Sequence, residues 1–308
     1  MHRILWATAG AVVAVDVLWA RAAHFEFESR GYLLVAEAAA LLTLLGLFYG
    51  RIRRDERLAA MLSGTGFLIV FSSAFSALNY MLLTVAGPRI DAPLAAIDRA
   101  VGFDWPGVMA YMALHPFLDL VLQWCYNSVL PQIALVVLTL GWAGQTASIF
   151  RFCLSVAIGA GVTVFLWTLY PSFGAFSVYH LPAAIASHLD LALDGKYAND
   201  LVHLLHDGPG LISPRSARGL IGFPSFHGAL AMLTTYYGAR VRHLKWPLLC
   251  LNACVLVATP IQGGHHLVDV LGGIGVAAAA IWASMWVCRR AATRAEAESH
   301  IQMPAAAL

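Results

Sequence analysis

The chain has 308 residues, of which 60% are hydrophobic and only 12% are charged, and its mean hydropathy is +0.72. A soluble globular domain carries about 25% charged residues, so this composition excludes an ordinary water-soluble protein and indicates a chain whose outer surface faces lipid. The formal net charge of +2 is too small to indicate a nucleic-acid partner.

Eight apolar stretches have, or nearly have, the length of about 20 residues that a helix needs to cross a bilayer. They predict an all-α, polytopic membrane bundle folded as a single domain. The first stretch follows His2 and Arg3 as a signal peptide would, but Asp16 interrupts it, so we expect a retained span. The predicted spans lie near 4–23, 32–50, 60–86, 117–141, 149–171, 222–240, 246–262 and 266–288.

The basic residues predict the orientation of these spans. Under the positive-inside rule, loops rich in arginine and lysine stay in the cytoplasm. With eight spans, every basic cluster and the N-terminus fall on one side, and the long segments 87–116 and 172–221 fall on the other. We therefore expect a bacterial inner membrane with these two segments on the periplasmic face. The basic clusters are Arg51, Arg53, Arg54 and Arg57; Arg151; Arg240, Arg242 and Lys245; and Arg289, Arg290 and Arg294.

Three further patterns concern the membrane interface, metal binding and the cysteines. Segment 87–116 interleaves apolar residues with aspartates and prolines, which predicts one or two helices at the membrane interface. Histidines and aspartates in segment 172–221 have spacings that match no standard metal-ligand pattern, so no metal site is expected. The odd number of cysteines and the lack of a CxxC pair predict buried small hydrophobic residues. The residues concerned are His180, His188, His203, His206, Asp190, Asp194 and Asp207, and Cys125, Cys153, Cys250, Cys254 and Cys288.

The first chemical motif is Gly222-Phe223-Pro224-Ser225-Phe226-His227-Gly228, where a polar segment enters an apolar span. Pro224 and Ser225 predict a helix start, because proline is tolerated in the first turn and serine is a good cap. The free N–H groups and the positive dipole end of such a start attract phosphate oxygens. Ser225 is therefore a candidate phosphate-binding residue, and His227, in the same turn, is a candidate catalytic residue.

The second motif is Gly263-Gly264-His265-His266-Leu267-Val268-Asp269-Val270, where the last span begins. Gly264 permits the close backbone approach that an anionic group needs. On a helix, His265 and Asp269 share a face. The carboxylate can then accept the proton of one imidazole nitrogen and leave the other free as a nucleophile. His266 either packs and hydrogen-bonds beside the site or contacts the substrate.

Pro-Ser-x-His at 224–227 and His-x-x-x-Asp-Val at 265–270 resemble the second and third signatures of the type 2 phosphatidic acid phosphatase superfamily. The resemblance implies that His265 attacks phosphorus to form a phosphohistidine, that Asp269 orients it, and that His227 protonates the leaving oxygen. It implies no metal or other cofactor. It also implies a six-helix catalytic core, which we place at 87–290, between N-terminal spans at 1–86 and a cytoplasmic tail at 291–308.

The phosphate-binding cations of these signatures are missing. The first signature is Lys, six residues, Arg and Pro, whereas this chain has Gln123, Leu130 and Pro131, and the arginine expected before the later histidine is Thr259. This pattern is more similar to the branch that includes fungal inositol phosphorylceramide synthase. A phosphodiester carries one negative charge and a phosphomonoester about two. The loss of cations therefore favours a diester donor.

Other polar residues are candidates for binding the phosphate or the headgroup. Gln123, Tyr126 and Asn127 share about one helical turn near the position of the missing lysine, where they either donate hydrogen bonds or simply pack. Arg215 and Arg218 precede the first motif, where they either restore positive charge or face water.

The sequence therefore predicts an integral membrane enzyme that moves a phosphate-containing headgroup from a phospholipid donor to an alcohol acceptor. Its partners are then membrane lipids. If water is the acceptor, the same chemistry makes the chain a lipid phosphatase. A transporter would place polar groups near the membrane midplane, whereas the two motifs lie at span ends, and a scaffold would not need them. Asp16 and Asn79 lie inside predicted spans, where the cost of burial points to a function, and for Asp16 the alternative is an ion pair with Arg21 near the span boundary.

Overall fold

The structure is a computed structural model, and it describes residues 1–192, 203–204, 207–215 and 219–301. Helices dominate these residues, and a parallel pair of two-residue strands, β1 (Glu26–Phe27) and β2 (Leu211–Ile212), joins two of the loops. The helices are α1 (His2–Ala23), α2 (Ser29–Phe48), α3 (Glu56–Leu82), α4 (Asp91–Ala100), α5 (Trp105–Ala113), α6 (Pro116–Asn127), α7 (Val129–Trp142), α8 (Thr146–Leu169), α9 (Ala183–Ala186), α10 (Phe226–Gly238), α11 (Lys245–Gln262) and α12 (Leu267–Ile301).

The predicted all-α membrane bundle is confirmed. Five helical segments among the described residues are long and apolar enough to cross a bilayer, and there are up to six if the bent pair of α5 and α6 counts as one span. The five correspond to the first, second, third, fifth and eighth predicted spans. They are His2–Ala23, Ser29–Arg53, Glu56–Val85, Thr146–Leu169 and Leu267–Ala291.

The other three predicted spans are formed by shorter helices. The stretch 117–141 is divided at Ser128, whose Oγ donates to the carbonyl of Cys125 at 2.6 Å, and α5 meets α6 at an angle of 114°. α10 has 13 residues and α11 has 18. The predicted interfacial segment contains α4 and α5, and α12 continues past the predicted boundary at 291.

Helix α8 lies at the centre of the bundle and is the most buried of the five long segments. It packs against α3, α7, α10 and α12. Helices α1 and α2 pack mainly on α3, so α3 connects the three N-terminal helices to the rest of the bundle. The contact between α3 and the pair α7 and α8 therefore forms the seam between the predicted N-terminal spans and the predicted core.

The bundle has two distinct ends. Cys288 Sγ lies 3.6 Å from Met1 Sδ, so the start of α1 and the distal half of α12 share one end. The opposite end holds the start of α12, the end of α8 and the start of α10. There the backbone N–H of Gly222 donates to the carbonyl of Ser172 at 2.8 Å. Both sequence motifs lie at this second end.

The close approach of α12 to the first motif depends on two glycines. A Cβ at Gly273 would lie 2.2 Å from the carbonyl oxygen of Ser225, and a Cβ at Gly272 would lie 2.9 Å from Pro224. These distances are well inside van der Waals contact, so a side chain at either position would push the two segments apart. Gly275, on the same helix, faces open space.

We expect Gly273→Ala to destabilise the detergent-solubilised protein by about 1–3 kcal/mol, because its methyl group collides with a backbone carbonyl. Gly275→Ala is the matched control, since it adds the same methyl group in open space and alanine favours a helix over glycine. Thermal unfolding of the two variants and the wild type measures the difference. Equal melting temperatures for the two variants would contradict the close packing.

Candidate active site

Ser225 and His227 stand at the start of α10. Ser225 is the N-cap, and its Oγ accepts a hydrogen bond from Gly228 N–H at 3.2 Å. The predicted helix start is confirmed, although Pro224 precedes the cap instead of occupying the first turn. His227 is half-buried in that turn. Its ring stacks on Tyr126 of α6, with ring centroids 4.3 Å apart and planes within 8°.

His265 lies just before α12 and not on it, so a shared helix face is not what pairs it with Asp269. Instead, the chain turns at Gly264, whose φ of +60° suits glycine. His265 Nδ1 is 3.1 Å from the carbonyl oxygen of Gly222 and 3.2 Å from Asp269 Oδ2. Because both neighbours only accept, Nδ1 carries the proton in the neutral ring. Nε2 is then unprotonated, and Ser225 Oγ lies 3.4 Å from it.

Asp269 joins the two motifs. Its side chain is fully buried, and Oδ2 accepts the backbone N–H of His266 at 2.9 Å as well as the His265 ring. Its backbone carbonyl accepts the N–H of Ser225 at 2.8 Å. One residue therefore orients the His265 ring and also fixes the segment that begins α10.

Asp98 of α4 is a supporting residue that the sequence analysis did not identify. It is 2% exposed, its Oδ2 lies 2.9 Å from His266 Nδ1, and its Oδ1 accepts the N–H of Leu267 at 3.1 Å. Asp98 thus caps the first turn of α12 directly behind the site. The available signal was the seven-residue spacing of Asp91 and Asp98 with Leu94 between them, which puts all three on one face of a helix.

Asp91, at the start of α4, organises the opposite wall of the site. Its Oδ1 accepts hydrogen bonds from Ser172 Oγ at 3.0 Å and from the backbone N–H groups of Phe173 and Gly174 at 2.7 and 2.9 Å. Its Oδ2 pairs with Arg89 at 2.8 Å. The segment after α8 is therefore held by a buried carboxylate whose charge is already compensated.

The two motifs and this wall enclose a cavity of about 160 Å³. His227 and His265 both line it, as do Tyr126 and Asn127 among the predicted binding residues. Among the residues that the structure describes, no arginine or lysine belongs to its lining. The lining residues are Tyr126, Asn127, Phe173, Gly174, Ala192, Gly219, Ile221, Gly222, His227, Gly263 and His265.

Five of the predicted substrate-binding residues lie away from this lining, or behind it. The Gln123 amide donates to the carbonyl of Asp190 at 2.6 Å. Gly264 turns its carbonyl to the N–H of Ala175. His266 is fully buried against Asp98, and the exposed Arg215 guanidinium lies 3.8 Å from Glu28. Ser225 is also fully buried, and its Oγ lies 3.4 Å from His265 Nε2 and accepts the N–H of Gly228. Arg218 lies outside the described residues.

At the positions of the missing cations, the side chains either point away from the cavity or are buried. Leu130 is 63% exposed on the outer surface of α7, and Pro131 beside it is exposed too. Thr259 is fully buried in α11, where its Oγ1 donates to the carbonyl of Val255 at 2.7 Å. Nothing at positions 123, 130 and 259, where the signatures have cations, supplies positive charge to a phosphate.

No group of three His, Cys, Asp or Glu residues that could hold a metal ion is found within the described part of the chain. His203 lies 3.5 Å from Asp207, while His206 and Asp194 fall outside that part. All five cysteines are free. Cys250 and Cys254 are exposed on α11, contrary to the predicted burial, because they occupy the outer face of that helix.

Comparison with known proteins assigns this site to a family. The sequence profile of the PAP2 superfamily matches residues 92–283. That range begins at α4, contains His227, His265 and Asp269, and leaves α1, α2 and α3 outside. No curated protein and no solved structure matches the chain.

We expect Asp98→Asn to lower kcat about tenfold and to leave KM nearly unchanged, an effect typical of residues that orient a catalytic group. The substitution introduces an NH₂ group and removes a negative charge, and either change disturbs the contact with the His266 ring. Because the backbone N–H of His266 bonds to Asp269, the Asp269 carboxylate is disturbed as well. Asp104→Asn, an exposed position in the same segment, is the control. Steady-state kinetics on a lipid phosphate tests this, and a rise in KM that matched the fall in kcat would show that Asp98 contacts substrate instead.

Proposed function

The chain belongs to the PAP2 superfamily and is a membrane phosphatase or phosphotransferase, and we propose that it moves a phosphate-containing headgroup from a phospholipid donor to an alcohol acceptor. The observation that carries this proposal is the state of His265. Two acceptors hold the proton on Nδ1, so Nε2 keeps its lone pair, 3.4 Å from Ser225 Oγ, beside a cavity that His227 and His265 both line. That arrangement suits covalent catalysis by an imidazole.

The proposed reaction has two displacements. In the first, His265 Nε2 attacks phosphorus, the bond from phosphorus to the leaving oxygen breaks, and protonated His227 gives its proton to that oxygen. In the second, His227 takes the proton of the incoming alcohol, whose oxygen attacks phosphorus while the bond to Nε2 breaks. Asp269 stabilises the positive charge that the His265 ring develops in both steps, because its Oδ2 lies 3.2 Å from Nδ1.

The charge of the cavity supports a phosphodiester donor. The described lining offers neutral donors, such as Tyr126 and Asn127, and no arginine or lysine. A dianionic monoester would lose its hydration there with only the His227 imidazolium to offset its charge, and this cost is smaller for a monoanionic diester. An alcohol acceptor fits the resemblance to the inositol phosphorylceramide synthase branch, which would place the enzyme in sphingolipid metabolism.

Hydrolysis is the second candidate function. The same phosphohistidine would be released by water if His227 activated a water molecule in place of an alcohol. Superfamily membership supports this phosphatase chemistry directly. It gives no support to a non-enzymatic transporter or scaffold, and the site lies at one end of the bundle, not at its middle.

The orientation of the site is part of the proposal. The end of the bundle that holds Met1 and Cys288 also holds Arg289 and Arg290. By the positive-inside rule this end faces the cytoplasm. The catalytic cavity, at the other end, would then open on the outer face, which is the periplasmic face in a bacterial inner membrane.

We expect His265→Ala to abolish turnover, with a fall of at least about a thousandfold, because no other group replaces the nucleophile. Wild-type protein incubated with a donor labelled in its phosphorus should become labelled. Acid should release this label and base should not, as expected for a phosphohistidine. His243→Gln, on the exposed loop at the opposite end, should keep both the turnover and the label. Label retained by the His265→Ala protein would refute the assigned nucleophile.

We expect Asn127→Lys to raise the rate on a phosphomonoester relative to a phosphodiester several-fold, because it adds a cation to the cavity lining. Asn127→Gln, which changes the same side chain without adding a charge, is the matched control. Parallel assays of both donor classes, with and without an alcohol acceptor, give the ratio and also separate transfer from hydrolysis. A wild-type enzyme that hydrolyses monoesters faster than it uses any diester would contradict the proposed donor.

A further inference from the structure

We propose that the groove between α3 and α7 holds one hydrocarbon chain of the lipid whose phosphate occupies the catalytic cavity, and that Asn79 hydrogen-bonds the polar linkage of that lipid. The inference rests on the proposed function only in taking a lipid as the substrate. It assigns a role to α3, which lies outside the segment that matches the superfamily.

The groove has a volume of about 470 Å³ and walls from α3, α7, α8 and α10. It follows the seam between the three N-terminal helices and the catalytic core. Its walls are mainly apolar, as a hydrocarbon chain requires. Apolar side chains that form them include Phe71, Phe75, Ile133, Val137, Val164 and Phe226.

The groove adjoins the catalytic cavity along a shared wall. Gly219 and Ile221 line both spaces, and the groove residue Phe226 directly precedes His227 in α10. A lipid whose phosphorus lies beside His265 therefore has an apolar path that starts at the same wall. This shared wall favours the substrate's own chain as the occupant over an unrelated bilayer lipid.

The length of the groove also fits one lipid chain. Along α3 the lining runs from Thr65 to Asn79, which corresponds to about 21 Å at 1.5 Å per residue. The hydrocarbon depth of one leaflet is about 15 Å, half of the apolar thickness of a bilayer. A full-length chain entering at the Asn79 end can therefore lie in the groove over its whole length.

Asn79 is the unexplained polar group of this groove. It is 7% exposed, lies in the last turn of α3 at the end near the cavity, and its Oδ1 has no hydrogen-bond partner. A buried amide oxygen without a partner costs free energy, so a bound molecule that donates to it would gain affinity. Ser72 and Ser76 line the same face of α3. The linkage between chain and headgroup is the polar part of a lipid that reaches this depth.

The first test fills the groove. Ala134→Trp places an indole in the groove, whereas Leu135→Trp, next to it on α7 but outside the lining, is the matched control. Turnover is measured with a long-chain donor and a short-chain, water-soluble donor that carry the same headgroup. We expect Ala134→Trp to lower kcat/KM about tenfold for the long-chain donor and less than twofold for the short-chain donor, and Leu135→Trp to change neither.

The outcomes separate the two proposals. If the wild type uses neither donor, the proposed function fails. If it uses both and Ala134→Trp affects them equally or not at all, the function stands and the groove assignment is overturned. A binding measurement does not depend on turnover: a long-chain donor with a photoreactive chain end should label α3 and α7 in the His265→Ala protein. If an excess of unreactive donor does not reduce this labelling, the label comes from bulk bilayer lipid. That result would also overturn the assignment.

Asn79→Leu tests the polar contact. Because it removes an unpaired buried polar group, we expect a melting temperature equal to or above that of the wild type, together with a several-fold fall in long-chain kcat/KM. A loss of stability, or unchanged kcat/KM, would show that Asn79 does not contact the lipid. Ser73→Ala, on the same helix but outside this groove, is the control.

Discussion

Hydrogen bonds stabilise a buried carboxylate, and the bonds that Asp269 and Asp98 accept hold the catalytic end of the bundle together. Asp269 accepts hydrogen bonds from the His265 ring and from the backbone N–H of His266. Asp98 accepts hydrogen bonds from the His266 ring and from the backbone N–H of Leu267. Each donor belongs to the segment that starts α12. The two carboxylates therefore fix the backbone from which the nucleophile projects, and the position of the imidazole follows from satisfying charge in an apolar protein.

The same rule explains how separate parts of the chain meet at one cavity. Asp91 accepts three hydrogen bonds from the segment after α8. The backbone carbonyl of Asp269 accepts a hydrogen bond from the N–H of Ser225. Glycines at the contacts let the backbones come close enough for these bonds, as at Gly273. Catalysis by His265 and His227 thus depends on residues of α4 and α12 that lie behind the cavity lining.

Electrostatics and lipid access act together in the proposed function. A cavity whose described lining contains no arginine or lysine binds a monoanionic phosphodiester at a smaller cost than a dianion. The groove along α3 would add the apolar contact that a small neutral cavity lacks. Binding energy from a remote hydrocarbon chain can then position the phosphorus beside Nε2. In this view α3 serves substrate binding, although it lies outside the superfamily match.

The sequence by itself determined the all-α membrane class, the helix start at Ser225 and the two motifs, because these depend on composition and on contacts between near neighbours. It overestimated the long spans, since apolar runs such as 117–141 do not show where Ser128 breaks a helix. Only the tertiary structure decided which polar residues face the cavity. Tyr126 and Asn127 do, whereas Gln123 bonds to Asp190 and Arg215 pairs with Glu28. Asp98 could be recognised as part of the site only in the tertiary structure, because 168 residues of sequence separate it from the His266 ring that it holds.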